Sequence, residues 1–575
     1  MIAGMARGAM PRVIRRRSNA CPPQFAAHLH PVVRRVYAGR GLLCDADLGL
    51  GLDQLLPVST LEGLDAATEL LLRHRGDRIV VIGDFDADGA TSTALVVRCL
   101  RQLGFRDVGF LVPNRFRFSY GLTPEIVAVA AEQRPGLLIT VDNGISSHAG
   151  VAEAARLGID VLITDHHLPP PELPGAAAIV NPNLDGSRFA SRTLAGVGTA
   201  FYVMAALQRR LQQQGERSDS LAVYLDLVAL GTVADLVPLD RNNRVLVAQG
   251  VKRIRAGRCA PGITALLEQA GRSATTMVAQ DLGYAVAPRL NAAGRIDDMA
   301  LGIECLLTDD VTRARELAMR LSALNDERRA IEQRMQAEAL DALAALNVRE
   351  HAAGVCLYDA SWHQGVIGLV ASRVKDRVHR PVVAFARAAD GVLRGSARSI
   401  DGVHIRDVLE AVATRNPGLI EKFGGHAMAA GLTLREAELE RFERAFVEET
   451  ARWLDPGVAA VIDSDGELAP DEMTLRTAFE LREAGPWGQA FPEPAFDGEF
   501  ALVDSRVVGE RHVRFRVRPQ TSGEQFEAIA FNLLTPERGA ADLPSGRARL
   551  AYRLDVNDYL GTRRLQLVVE HLESV

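Results

Sequence analysis

At 575 residues with 47% hydrophobic content, the chain exceeds what one core supports, so about three or four domains are expected. A net charge of -6 excludes a general electrostatic coat for nucleic acid, and any contact with a polyanion has to be local. The six cysteines are scattered without a CxxC pair, and no run of about 18 apolar residues occurs; a disulfide framework, a thiolate zinc site and a transmembrane span are excluded.

Residues 1–54 read as an irregular leader. It is basic at MIAGMARGAMPRVIRRRSNA but lacks the apolar segment of a secretory signal. It reads as a frayed tail or as an arm that touches DNA. From about residue 60 strands and helices alternate. RIVVIG (78–83) is a strand, STALVVRCLRQLG (92–104) a helix with a glycine stop, and VGFLVPN (108–114) a strand. TPEIVAVAAEQ (123–133) is a helix opened by Thr-Pro. LLITVDNG (137–144), HAGVAEAARLG (148–158), DVLITDHH (160–167) and AAAIVNP (176–182) continue the pattern. The strands are apolar on both faces, as a parallel sheet covered on both sides requires. Residues 195–270 read as helical.

Further on, Leu317, Leu321, Leu324, Ile331 and Met335 recur at helical spacing, with charges between them. Residues 309–350 are therefore expected to be a connecting helix between two lobes, with a broken helix packed on the core as the rival. A second α/β lobe follows over 351–455. Past residue 456 the pattern alternates like half-exposed antiparallel strands, which suggests a small barrel of the OB type.

The acids and histidines share a position. Asp84, Asp86 and Asp88 follow the first strand, Asp142 follows LLITV, and Asp165, His166 and His167 follow DVLIT. In an open parallel sheet the carboxyl ends of the strands converge on one crevice. Asp235, in GTVADLV, is a further acid in an apolar stretch. Carboxylates gathered so closely raise each other's pKa unless a cation intervenes, and mixed oxygen and imidazole donors suit Mn²⁺ or Mg²⁺. So many ligands point to two ions sharing a carboxylate, and Asp142 is the bridging candidate. The plain alternatives are solvated turn acids and a histidine pair that caps a strand. A calcium loop is disfavoured, because GATS is not followed by that loop's glutamate.

The motifs VIGDFDADG, TVDNG, ITDHH and GTVADLVPL, in that order, resemble the signatures of the DHH phosphoesterase superfamily, and GGHAMAAG resembles its DHHA1 domain. LNAAGR, WHQGVIGLVASR and RGSARS point to the RecJ branch, the 5′→3′ exonucleases specific for single-stranded DNA. The resemblance covers roughly 55–575. It implies an α/β protein in which a parallel-sheet DHH lobe (55–308) is joined by a long helix to an α/β DHHA1 lobe (351–455), followed by a C-terminal OB-like β-barrel (456–575). It further implies metal ligation by Asp86, Asp88, Asp142, His166 and Asp235, with two divalent ions as cofactors. Asp84, Asp165 and His167 would stand close by as catalytic residues, His167 orienting either water or a phosphate oxygen. The implied setting is DNA repair and recombination in the cytoplasm, at the nucleoid. The implied partners are single-stranded DNA, a single-strand DNA-binding protein and a RecQ-type helicase, with no membrane and a monomeric chain. A relative that hydrolyses short RNA oligomers or cyclic dinucleotides, and a non-catalytic DNA-binding scaffold, are the alternatives.

Substrate contacts are expected in six stretches. Gly424, Gly425 and His426 in GGHAMAAG offer amides and a donor to phosphate, or else small residues for close helix packing. His363 and Arg373 in WHQGVIGLVASR, and Arg394 and Arg398 in RGSARS, form a second set, the last two as a phosphate clamp. Arg115, among the aromatics of VPNRFRFSYGL, and Asn291 and Arg295 in LNAAGR either reach the strand or brace the lobe. Arg514, Arg516 and Arg518 line one face of a barrel strand, as a groove for single-stranded DNA or as a solvated face.

Overall fold

The computed structural model describes residues 12–18, 24–25, 29–113, 118, 121–345, 353–389, 391–454, 460–509, 511–534, 539, 543–557 and 562–575. They form two compact units. One comprises Ile14–Leu324 with Asp463–Val575, and the other is centred on Asn325–Ile462.

The apolar runs of the first unit become the strands Ile79–Ile82, Val108–Leu111, Leu137–Val141, Asp160–Thr164 and Ala178–Val180. Every residue of Ile79–Ile82 and Leu137–Val141 is buried. All neighbours pair in parallel, and Ile79–Ile82 lies between Val108–Leu111 and Leu137–Val141. Chain order reverses at that point, so a crevice opens at the carboxyl ends of Ile79–Ile82 and Leu137–Val141. The helix after Ile79–Ile82 spans Ala87–Gln102, starting five residues before the expected Ser92. Asp86 caps it by accepting the Gly89 N–H at 3.0 Å, a role that aspartate favours and that the apolar run starting at Ser92 masked. The helical stretch after residue 195 contains Gly196–Gln213, Leu225–Ala234, Arg241–Arg255 and Pro261–Gln269.

A single unbroken helix runs from Val311 to Ala345. It is not a solvated rod. Ala314, Leu317, Ala318 and Leu321 belong to the first core, while Met335 and Ala339 pack with Trp362, Val366 and Val370 in the second. The second unit holds a five-stranded sheet ordered Lys422–Gly425, Ala429–Arg435, Val392–Arg398, Val382–Ala389, Val355–Tyr358. Only its last pair is parallel.

Five strands between Phe496 and Ser574 close into a barrel. Along His512–Pro519, Val513, Phe515 and Val517 face its interior and Arg514, Arg516 and Arg518 are exposed, as the two-residue period demands. Phe515 and Val517 belong to the same continuous core as the first sheet.

The leader is where expectation and structure part. Arg12–Arg16 is a strand and Pro31–Ala38 a helix whose Val32, Val33 and Val36 are buried in the first core. Arginines that read as a DNA-touching arm are paired instead: Arg15 with Asp463 at 2.8 Å and Arg16 with the buried Asp497 at 2.9 Å. Arg40 is the firmest of these ties. Its guanidinium donates to both oxygens of Asp465, at 2.8 and 3.0 Å, and both side chains are about 1% exposed. Its Nε donates to the Pro492 carbonyl at 2.8 Å, and Trp487 stacks beneath it. Partners more than 400 positions away leave no local signal. Arg40→Ala strands a buried carboxylate and is expected to lower stability by about 3–5 kcal/mol, measured by denaturant unfolding of the purified chain.

Candidate metal centre

Each rim residue is placed by the end of a strand or helix. Asp84 follows Ile79–Ile82 and turns back to accept its neighbour's amide, Phe85 N–H, at 2.7 Å. Asp88 lies in the first turn of the Ala87–Gln102 helix. Its two oxygens accept the N–H groups of Gly196 and Val197, at 2.7 and 2.9 Å, at the start of helix Gly196–Gln213. Asp142 sits just past Leu137–Val141 at φ 61°, a left-handed conformation that a buried aspartate adopts only when its surroundings impose it. Asp165, His166 and His167 follow Asp160–Thr164. Asp235 caps the carboxyl end of helix Leu225–Ala234, and Leu236 after it is again left-handed, at φ 59°.

These side chains meet. Three groups of potential ligand atoms each lie within 4.8 Å of one another: Asp84, Asp86 and Asp142; Asp88, His166 and Asp235; and Asp142, His166 and His167. Asp142 belongs to two groups and so does His166. His166 Nε2 stands 3.1 Å from Asp142 Oδ1 and 3.4 Å from Asp235 Oδ2, is buried, and makes no hydrogen bond. A buried imidazole nitrogen ringed by carboxylates has surroundings that could hold a metal ion. The oxygen and nitrogen donors fit Mn²⁺ or Mg²⁺, which answers the repulsion that the sequence implied.

The electrostatics agree. Burial, then the neighbouring Asp235, pushes Asp88 up to about 7. Burial and Asp86 push Asp235 to about 7 as well. Burial and four surrounding acids drive Asp142 well above the ordinary carboxylate range. Burial and mutual repulsion disfavour three charged carboxylates here, and divalent cations would offset that repulsion. Asp165 behaves in the opposite way. Burial pushes it up, but the hydrogen bond and charge of His167 win and hold it at about 2. It takes the His167 ring at 2.7 Å, the His166 and His167 amides at 2.7 and 3.1 Å, and the Ile145 amide at 2.9 Å. Burial opposes charge on His167, yet the bond to Asp165 raises it to about 9.

The chain matches the DHH family, N-terminal domain, over residues 78–232, the DHHA1 domain over 351–452 and the RecJ OB domain over 464–571. It is 52% identical over 573 residues to the single-stranded-DNA-specific exonuclease RecJ of Dickeya dadantii, covering 97% of this chain and 98% of that protein. The corresponding Escherichia coli protein is 51% identical, with the same coverage. The chain belongs to the RecJ family. The solved structure of Thermus thermophilus RecJ with Mn²⁺ superposes with a TM-score of 0.79 at 31% identity, over 95% of this chain and 76% of that one. The same protein with Mg²⁺ gives 0.74. This member of the RecJ family is thus a metal-dependent exonuclease, with DHH, DHHA1 and OB domains and a divalent-cation site.

Several residues around the RecJ-family centre escaped the sequence reading. Gly196 is one: a Cβ there would lie 2.7 Å from Asp142. Gly196→Ala is expected to displace the Asp142 carboxylate and cut turnover about 10²-fold with the fold retained, as steady-state kinetics and a thermal melt would show. Asn181 and Asn183 hold the His167 and His166 carbonyls at 2.9 and 2.6 Å. Their signal was present, since NPN follows the strand Ala178–Val180 on the same rim.

The expected substrate residues are scattered over both units. Asn291, on helix Ala287–Ile296, accepts the Ala87 N–H at 2.8 Å and so braces the acid motif, with Arg295 one turn further. Arg115 lies outside the described residues. In the second unit, His363 Nδ1 accepts the Gly365 N–H at 3.2 Å before helix Ile367–Val378, and Arg373 pairs with Glu332 at 3.1 Å. Arg394 and Arg398 share one face of Val392–Arg398, but Arg398 donates to Ser396 Oγ and the Ala397 carbonyl, at 3.0 and 2.7 Å, within its own strand. GGHAMAAG is a hairpin between Lys422–Gly425 and Ala429–Arg435, not a helix-packing motif. Gly424, Gly425 and His426 are exposed at its tip, where φ of 143° at Gly425 rules out a side chain.

Proposed function

We propose that the chain degrades single-stranded DNA from its 5′ end, releasing 5′-mononucleotides by a two-metal mechanism. The observation that supports the two-metal part of this reading is the membership of Asp142 in two ligand groups, Asp84 with Asp86 on one side and His166 with His167 on the other, while the polarity rests on the RecJ family alone. Ions held by Asp86, Asp88, Asp142, His166 and Asp235 would supply Lewis acidity that makes water nucleophilic near neutral pH and offsets charge on the scissile phosphate. The chain's own residues do the rest. Asp165 keeps His167 charged and oriented, which suits donation to a phosphate oxygen better than proton abstraction from water. Asp84, beside the cluster, completes its negative field. Arg115, Asn291, Arg295, His363, Arg373, Arg394, Arg398 and the Gly424–His426 tip are the proposed strand contacts, Arg394 more than Arg398.

The barrel supplies grip. Arg514, Arg516 and Arg518 stand exposed in a row, and Arg506 lies opposite Arg514 on the adjacent strand. Replacing the three with alanine is expected to raise KM for long strands and flatten the salt dependence of binding by about 2 log units per log unit of salt. Fluorescence anisotropy at several salt concentrations measures both the affinity and that slope. An unchanged slope would remove this row from the binding surface.

A role in repair and recombination beside a single-strand DNA-binding protein and a RecQ-type helicase, in the cytoplasm at the nucleoid and as a monomer, belongs to the same proposal. No described helix is long and apolar enough to cross a membrane. The deciding experiment follows single strands labelled at one end, with and without Mn²⁺. The proposal predicts immediate Mn²⁺-dependent release of a 5′ label as mononucleotide, while a 3′ label stays on shortening strands. Release of the 3′ label first, or internal cuts, would refute it.

A further inference from the structure

The outer face of the barrel carries more than a row of arginines. Cross-strand register sets the side chains of strands Phe496–Val508, His512–Pro519 and Phe526–Ala530 in rungs. Arg514 stands between Arg506 on one side and Ile529 on the other. Two residues earlier, His512 stands opposite Val508. The pairing of Val513 with Ala530 carries the register on to Phe531, whose ring lies against that of His512, with centroids 5.3 Å apart and planes at 76°. Successive rungs on one face of a strand are roughly 7 Å apart.

Each rung has a feature that folding does not explain. Arg506 and Arg514 are exposed and directly opposed, and among the described residues neither pairs with a carboxylate. Like charges directly opposite each other destabilise a sheet. Arg516, by contrast, has Asp504 and Glu527 opposite it. Phe531 is 54% exposed, although Leu533 and Leu534 just after it pack against the core. The turn that presents it is pinned to the neighbouring strand. His512 Nδ1 accepts the Asn532 N–H at 2.9 Å, and the Leu534 N–H donates to the Arg511 carbonyl at 3.1 Å. Asn532 takes a left-handed φ of 52°, which asparagine tolerates. A lone exposed aromatic is ordinary. One held a rung away from two opposed arginines matches the alternation of base and phosphate along a single strand.

We propose that these two rungs bind one nucleotide step of single-stranded DNA. Arg506 and Arg514 clamp a phosphate between two β-strands, and the adjoining base stacks on Phe531, whose ring His512 holds in place. The site rests on the reading of the barrel as a grip for single-stranded DNA, and adds to it a base contact. Stacking on a ring is indifferent to base identity, so the site takes any sequence. An acidic peptide would satisfy the arginines but leave the ring face bare, which favours DNA as the occupant.

The test is fluorescence anisotropy of the full chain with a labelled oligo-dT strand, in excess chelator so that the strand stays intact. A strand of the same length with abasic residues through its interior serves as the second probe. Phe531→Ala should weaken binding of the oligo-dT strand about tenfold and leave binding of the abasic strand unchanged, while Phe531→Trp retains the parental affinity for both. Arg506→Ala should flatten the salt dependence by about 0.7 log units per log unit of salt, on both strands alike. Thermal melts matching the parent would show that these exposed changes leave the fold intact. A parental salt slope after replacing Arg514, Arg516 and Arg518 would sink the reading of the barrel as a grip. With that reading intact, equal binding of oligo-dT by the parent and Phe531→Ala, or equal weakening on both strands, would overturn the stacking site. A parental slope for Arg506→Ala would overturn the clamp.

Discussion

Asp142→Asn is expected to lower kcat by about 10³-fold or more while leaving a folded, soluble chain. The size of the loss follows from position. Asp142 is shared by two ligand groups, so its removal disturbs both sides of the centre. Asparagine is the informative replacement, since it retains volume and tolerates the left-handed backbone at φ 61°. The stability effect should run the other way. Burial and like charges raise the Asp142 carboxyl, so in metal-free protein it is a burden. The metal-stripped variant should therefore melt no lower than the metal-stripped parent at alkaline pH, and Mn²⁺ should raise its melting temperature less. Single-turnover kinetics at saturating Mn²⁺ with a paired thermal melt reads both. Near-parental turnover would remove Asp142 from the shared position.

The second large effect is a pH-dependent stability that metal abolishes. Asp88 and Asp235 are raised to about 7, against an unfolded value near 3.9. Below the unfolded value both carboxyls are protonated in either state, and the folded chain suffers nothing. Between that value and about 7 the unfolded chain releases protons that the folded chain keeps, so stability falls as pH rises. The loss is complete above the folded values. Metal-free protein should accordingly melt about 5–10 °C lower near pH 8 than near pH 5. Added Mn²⁺ should recover most of that at high pH and little at low pH, because binding requires the carboxylates to lose their protons. By the same linkage, activity at limiting Mn²⁺ should fall from about pH 8 to about pH 6 and return with excess metal. A metal-free melting temperature that rises with pH over this window would contradict the electrostatic picture.

What the sequence disclosed, and what it hid, divides along physical lines. Fully buried parallel strands are written as short apolar runs, so the first sheet and its rim of acids were legible from residues 78–182. Asp84, Asp142 and His166 stood at strand ends, where topology alone brings them together, whereas Asp88 lies in a helix turn and Asp235 at a helix end. Contacts made by backbone were not legible: nothing in LAGVG shows that the amides of Gly196 and Val197 would fix Asp88. Distant ion pairs were also hidden. Arg16 with Asp497 ties the first residues to the barrel and Arg40 with Asp465 ties them to the segment before it, and a reading confined to local pattern turned them into a leader. The hairpin at GGHAMAAG was missed for another reason. Small residues suit both close helix packing and tight turns, and only the φ of 143° at Gly425 separates the two. The long helix was visible by its period, whereas its burial in two successive cores was not, because charged residues fill the spaces between its apolar positions.

The account rests on acids and a histidine from separate segments holding a pair of divalent ions. Equilibrium titration of metal-stripped protein with Mn²⁺, with bound ions counted for the parent and for Asp142→Asn, tests it most directly. Two ions per parent chain and a weakened or lost pair in the variant is the predicted result. Retention of the same number of ions at the same affinity in both proteins, or no binding by the parent, would contradict it.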